Sequence, residues 1–223
     1  MANQAVATYP GRSLIWGRMK GLMTEAKNIG WGTSSTTAST YSNVNLFQPA
    51  TEPRVAGTSS YASPAFAQLG DTYQVTGSIT CSTGAKTITE VGLFDTTTSS
   101  TSTTISNSLA VGTTVITFGV NPGPTVSNYY IQVLNETMLV SGANSTTLTV
   151  VRGQLGSAAG TQASGSPATI GGDGGAFANG GLGGQNATVG AAQGGDMFIH
   201  ADFAGVALNV NDSISFTITD TLT

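Results

Sequence analysis

Residues 213–219 read SISFTIT, in which Ile214, Phe216 and Ile218 alternate with Ser213, Ser215, Thr217 and Thr219. Strict alternation puts the apolar side chains on one face and the hydroxyls on the other, the pattern of a half-buried strand. Working outward, TYQVTGSIT (72–80) sets Tyr73, Val75 and Ile79 on one face. Ser82-Thr83-Gly84-Ala85 reads as a turn and KTITEVGLF (86–94) returns, so the two segments predict an antiparallel hairpin. MFIHADF (197–203) sets Met197, Ile199, Ala201 and Phe203 opposite Phe198, His200 and Asp202. Further strands are predicted near Val44–Gln48 and Arg54–Ser60.

Composition points the same way. Of 223 residues, 39% are hydrophobic and only 8% charged, against about 25% charged in an ordinary soluble domain. Long surface helices solvate one face with Glu, Lys and Arg, and the 18 charged side chains here are too few for several of them. The 58 serines and threonines and 30 glycines suit strands and turns instead. A net charge of −4 is too small for the disorder that pairs low hydrophobicity with strong charge. A weakly charged, hydroxyl-rich surface has little colloidal repulsion, which hints at assembly.

Four short strands, TTVITFGV (113–120), YYIQVLN (129–135), ETMLVSG (136–142) and STTLTVVRG (145–153), form a group of their own, with turns at NPGP, NE and GANS. They are enough for a small barrel or sandwich. Residues 165–195 then hold 12 glycines, a stretch that reads as a long loop. The predicted fold class is all-β: an antiparallel β-sandwich or barrel with an inserted small β subdomain and a short N-terminal helix or arm. The divisions are a basic N-terminal arm over 1–30, an outer β domain over 31–100 and 196–223, the insert over 101–164 and the glycine-rich loop over 165–195.

The arm carries the best helical pattern. In RSLIWGRMKGLMTEAKN (12–28), Leu14, Ile15, Met19, Leu22 and Met23 form one apolar stripe, although Gly17 and Gly21 weaken it. The first 30 residues carry a net +3 and the remaining 193 a net −7. Arg12, Trp16, Arg18, Lys20 and Lys27 therefore read as a docking segment for an acidic protein surface, with Trp16 and Leu14 as anchors, or as a segment packed within the molecule. A +3 segment on an acidic chain is a weak footprint for nucleic acid, and no nucleic-acid partner is expected. No run approaches the 18 apolar residues of a membrane helix. The first 11 residues lack the basic-then-apolar order of a signal peptide, so synthesis in a reducing cytoplasm is expected.

Catalytic templates are missing: the sequence has no G-x-S-x-G, H-E-x-x-H, Walker loop or C-x-x-C. The single histidine, His200, reads as a surface or interface residue, with Asp202 as a hydrogen-bonded neighbour on its face. The single cysteine, Cys81, allows no internal disulfide and reads as a small apolar filler at a hairpin end. A calcium β-roll needs aspartates in register, and Asp173 and Asp196 stand too far apart. No cofactor or metal is expected. Glu52, Arg54 and Glu90 are scarce charges in apolar strand surroundings, so pairing is expected, in the form of a structural Arg–carboxylate bridge between strands.

WGTSSTT (31–37), EPRVAGTSS (52–60), DTYQVTGSIT (71–80), KTITEVGLFD (86–95) and MFIHADFAGVALNVNDSISFTITDTLT (197–223) together resemble tailed-bacteriophage virion proteins. The ITEVGLFD box and the last strand are the most specific parts. The insert is similar to small β modules of phage structural proteins, with Met138, Arg152, Gly153, Gln154 and Gly156 matching their signature. The resemblance implies a non-enzymatic building block of the virion, assembled in the host cytoplasm. The leading expectation is a capsid decoration (cement) protein, a homotrimer that contacts the major capsid protein and bridges capsomers. The alternative is a tail-fibre, tail-tip or adaptor component among tail proteins. A carbohydrate-binding module, a third reading, requires exposed aromatics such as Tyr129 and Tyr130.

Overall fold

The computed structural model describes residues 4–12, 15, 24–34, 38–62, 72–120, 123, 125, 127–170 and 195–221. The chain is all-β, and every strand pairing within them is antiparallel. The strands are β1 (Gln4–Ala7), β2 (Asn28–Gly32), β3 (Val55–Ala56), β4 (Thr58–Ala62), β5 (Thr72–Thr80), β6 (Lys86–Phe94) and β7 (Ser102–Thr104), followed by β8 (Val115–Thr117), β9 (Tyr129–Val133), β10 (Glu136–Ala143), β11 (Thr147–Val151), β12 (Pro167–Ile170), β13 (Met197–Leu208) and β14 (Ser213–Thr221). They form a five-stranded sheet ordered β1-β13-β6-β2-β3, a three-stranded sheet ordered β14-β5-β4 and a six-stranded sheet ordered β7-β12-β9-β10-β11-β8.

The five- and three-stranded sheets enclose one core. Nine consecutive pairs join β14 to β5, from Ser213↔Thr80 to Thr221↔Thr72. Their shared face carries Val75 and Ile79 onto Ile29, Trp31, Ile88 and Leu93 of the other sheet. Phe216 meets the edge of Trp31, with ring centroids 6.4 Å apart and planes at 80°. That is the edge-to-face geometry that favours aromatic pairs. At Gly77 the sheets approach closely: a Cβ there would lie 2.9 Å from Ile29 Cδ1 and 3.3 Å from Gly57 Cα, so a side chain would force its neighbours to shift.

The six-stranded sheet has a core of its own, with Ile116, Tyr129, Ile131, Met138, Val140 and Leu148 fully buried. It is inserted between β6 and β13, which are neighbours in the five-stranded sheet. The ends of the insertion therefore meet: Met197 pairs with Phe94, and Asp95 and Asp196 exchange main-chain and side-chain hydrogen bonds of 3.2 and 2.9 Å. An insertion closes without distorting its host when entry and exit lie side by side.

A buried ion pair fastens the insert. Arg152 Nε and Nη2 donate to Glu136 Oε1 and Oε2, both at 2.6 Å, with side chains 6% and 0% exposed. The remaining guanidinium N–H groups reach the carbonyls of Ala110, Thr113 and Gly160. The amides of Gly153 and Gly160 donate back to the carboxylate. Burial works to raise the Glu136 pKa, but Arg152 and these amides hold it below the usual carboxylate range. Arg152, Gly153 and the turn after them thus gather the ends of four segments onto one carboxylate.

The expected short N-terminal helix is present, with Tyr9 to Arg12 and Ile15 helical, while Thr24–Lys27 lies outside it and β2 begins at Asn28. Other expectations are corrected. Ile15, placed in the apolar stripe, is 43% exposed. Within the expected arm, β1 joins the sheet edge beside β13. Residues 167–170, expected to be loop, form β12 between β7 and β9, because Ala168 and Ile170 drop into the insert core. Val44–Gln48 is not a strand, for a reason given below.

Replacing Arg152 with alanine strands a buried carboxylate and its amides, which costs about 3–5 kcal/mol for a pair broken on one side. Urea unfolding of R152A is expected to show a loss of that size. A loss under about 1 kcal/mol would contradict the role assigned to the pair.

Candidate functional site

Five successive backbone amides, those of Val44 to Gln48, donate to side chains rather than to a neighbouring strand. Val44 N and Asn45 N donate to Gln132 Oε1 on β9, at 2.8 and 3.2 Å. Leu46 N donates to Asn45 Oδ1 at 2.8 Å. Phe47 N and Gln48 N donate to Glu90 Oε2 and Oε1 on β6, each at 2.9 Å. Buried amides must find acceptors, and these side chains let a loop run where a strand was expected. Asn43 and Val44 are fully buried, as is Asn45. Leu46 and Phe47 are 1% exposed.

The loop lies between the five-stranded sheet and the insert and covers a face of each. His200, 0% exposed, turns Nε2 to Glu90 Oε2 at 2.9 Å and Nδ1 to Asn43 Oδ1 at 3.0 Å, and the Phe47 ring packs on its imidazole. The expectation of a surface histidine is therefore overturned. Its strand has no solvated face there, because residues 38–50 cover what alternation assigned to water. Asp202, two residues on, accepts from Ser39 N and Oγ, at 2.9 and 2.7 Å. From the insert, Thr137 Oγ1 donates to Ser42 O, and Thr169 Oγ1 to Leu46 O.

The scarce charges flagged in the sequence lie around this loop. Glu52 is 5% exposed and accepts from Lys86 Nζ at 2.5 and 2.6 Å, from Thr83 Oγ1, from the amides of Ser82 and Thr83, and from Trp31 Nε1. The cation that Glu52 meets is Lys86 rather than Arg54. Burial works to raise its pKa, but the bond from Lys86 with those from Thr83 and Ser82 holds it down to about 2. Arg54 stacks its guanidinium 3.3 Å from the Phe94 ring centroid and reaches Ser100 Oγ and Thr96 O. Burial lowers its pKa to about 9 against the pull of Asp95. Cys81 is fully buried, its thiol donating to Gly84 O at 3.1 Å. Among the described residues, no three His, Cys, Asp or Glu side chains converge as a metal site would need.

One exposed cluster joins the two halves of the chain on the outside. Arg12 sets its guanidinium 5.2 Å from the Tyr9 ring centroid and 5.5 Å from that of Tyr41, itself 52% exposed. The two rings lie 6.4 Å apart, and Tyr9 N donates to Tyr41 O at 2.8 Å. Gly156 of the insert abuts Tyr9, since a Cβ there would lie 3.9 Å from its ring and hydroxyl. Tyrosine and arginine are the residue types that dominate protein interfaces energetically.

Of the predicted docking residues, Arg12 lies in this cluster. Lys27 stands at the entry to β2, paired with Glu25 at 3.5 Å. Trp16, Arg18 and Lys20 lie outside the described residues. Tyr9 and Tyr41 were missed: they stand more than 30 positions apart, in segments read as arm and loop. Tyr129 and Tyr130, named for glycan stacking, are 0% and 5% exposed, which removes that basis for carbohydrate binding.

Two outcomes test the buried anchors. Glu90→Ala leaves two amides and an imidazole without their acceptor, at about 1–3 kcal/mol each before relaxation. A stability loss of at least about 3 kcal/mol is expected, with new protease cuts within 38–50; a loss under about 1 kcal/mol would refute the anchor. Glu52, with a folded pKa near 2 against an ordinary 4.5, contributes stability that is fully present above about pH 4.5 and is lost as the pH falls toward 2. E52Q is therefore expected to show a shallower decline in melting temperature between pH 5 and 2 than the parent chain, and an unchanged decline would sink the assignment. Compared with family models, curated proteins and solved structures, the chain finds no match.

Proposed function

We propose that this chain is a structural protein of a tailed-bacteriophage virion, a decoration protein that sits on the capsid and bridges neighbouring capsomers. One observation carries the reading: among the described residues, the histidine, the cysteine and three of the glutamates are buried and occupied in holding the fold. His200 and Cys81 are inaccessible, and the carboxylates of Glu52, Glu90 and Glu136 each accept main-chain amides. General acid–base or nucleophilic catalysis needs such groups within reach of a substrate.

The exposed surface offers binding chemistry instead. Arg12 between Tyr9 and Tyr41 presents a cation and two amphipathic rings at the junction of sandwich and insert. The sequence beyond it adds Trp16, Arg18 and Lys20. Such a segment complements an acidic patch of the major capsid protein. Bridging capsomers buries surface across several subunits, which resists the outward pressure of packaged DNA.

The test is copy number per virion by quantitative gel densitometry, with parent and R12A/Y41A chains added to heads stripped of the protein. Hundreds of copies are expected, and the double variant is expected to bind at least tenfold more weakly, as for loss of interface anchors. A few to a few dozen copies would reassign the chain to the tail. Absence from virions would overturn the proposal.

A further inference from the structure

Among the described residues, strand β14 ends the three-stranded sheet, with β5 on one side and no strand on the other. Free edges are normally protected by lysine, proline, a bulge or shortness. β14 has none of these: it is nine residues long, its register with β5 is unbroken, and Ser213 to Thr219 contain no charge. Its odd-numbered positions are exposed, while Ile214, Phe216 and Ile218 are only half-buried. Beside them opens an apolar groove of about 500 Å³, lined by Val91, Ala201, Phe203 and Val206 from the facing sheet. Val206 is 40% exposed.

We propose that a second copy of this chain covers that edge, β14 pairing antiparallel with β14 about a two-fold axis through Phe216. The occupant is argued from the strand itself. Read from either end, 213–219 runs hydroxyl, Ile, hydroxyl, Phe, hydroxyl, Ile, hydroxyl. Antiparallel pairing centred on Phe216 sets Ile214 against Ile218 of the other copy, Ser215 against Thr217 and Ser213 against Thr219. Apolar thus meets apolar and hydroxyl meets hydroxyl at every position, the self-complementarity that an isologous contact requires. Shifting the register by one residue would turn the apolar set to water. The pairing makes about six to eight interchain main-chain hydrogen bonds, because antiparallel partners exchange two at alternate positions. The incoming Ile214, Phe216 and Ile218 extend the apolar face over the groove. Asp212 and Asp220 fall opposite each other just outside the window, and like charges there limit the ladder to these seven positions. This contact is two-fold, so it differs from the three-fold association that the family resemblance implies, and it stands whether or not the chain is a virion protein.

Light scattering coupled to size exclusion on the full chain is expected to give twice the 22.4 kDa chain mass. S215K/T217K, both on the exposed face, is expected to give a monomer with unchanged circular dichroism. A mixture of S215C and T217C chains is expected to form an interchain disulfide under mild oxidation far faster than either alone, since only the mixture sets cysteines directly opposite. A monomeric or trimeric parent chain, or cross-linking no faster in the mixture, would overturn the proposal. Should the lysine variant fail to fold, the cysteine mixture still decides it.

Discussion

A buried loop has to satisfy its main chain without a sheet, and the amides of residues 44–48 do so with side chains. Gln132, Asn45 and Glu90 take the five amides from Val44 to Gln48. Glu90 also meets His200, which holds Asn43. The loop is thereby fixed between two sheets with separate cores, and the insert is held to the sandwich through groups on β6, β9 and β13. Loops ordinarily run on the surface because their polar groups need water. This one is internal because acceptors are placed for each amide, so removing any one of them leaves a donor stranded.

The same economy runs through the molecule. With 18 charged side chains in 223 residues, few remain to solvate the outside, and several of those present are enclosed. Glu52 takes Lys86 with the main chain of Ser82 and Thr83, Glu136 takes Arg152 with the turn around Gly153, and Glu90 takes His200 with Phe47 and Gln48. Each buried carboxylate acts as a junction of segments distant in sequence. Among the described residues, the outside presents hydroxyls, a tyrosine–arginine cluster and a strand edge uncharged from Ser213 to Thr219, features suited to contact with other protein surfaces.

The strands of the sandwich were legible because their alternation matches their burial. β5 and β6 coincide with the segments read as TYQVTGSIT and KTITEVGLF, β14 starts with SISFTIT and runs two residues past it, and the four strands read in the insert lie within a residue of theirs. Failures cluster where both faces of an element are covered. His200 sits on a strand whose second face lies under the loop, so period-2 logic sent it to water. Val44, Leu46 and Phe47 looked like strand residues because they are apolar and closely spaced, and nothing local shows that Gln132 and Glu90 would replace a partner strand. Pairing of scarce charges was legible as a need, whereas the partners Lys86 and Arg152 lie at separations that no short-range pattern records.

Amide hydrogen exchange on the native chain tests the loop directly. Phe47 and Gln48 belong to no strand, yet their N–H groups are expected to exchange as slowly as those of β6, because the Glu90 carboxylate holds them inside the core. Exchange at the rate of solvent-exposed turns would contradict a fold organised around that carboxylate.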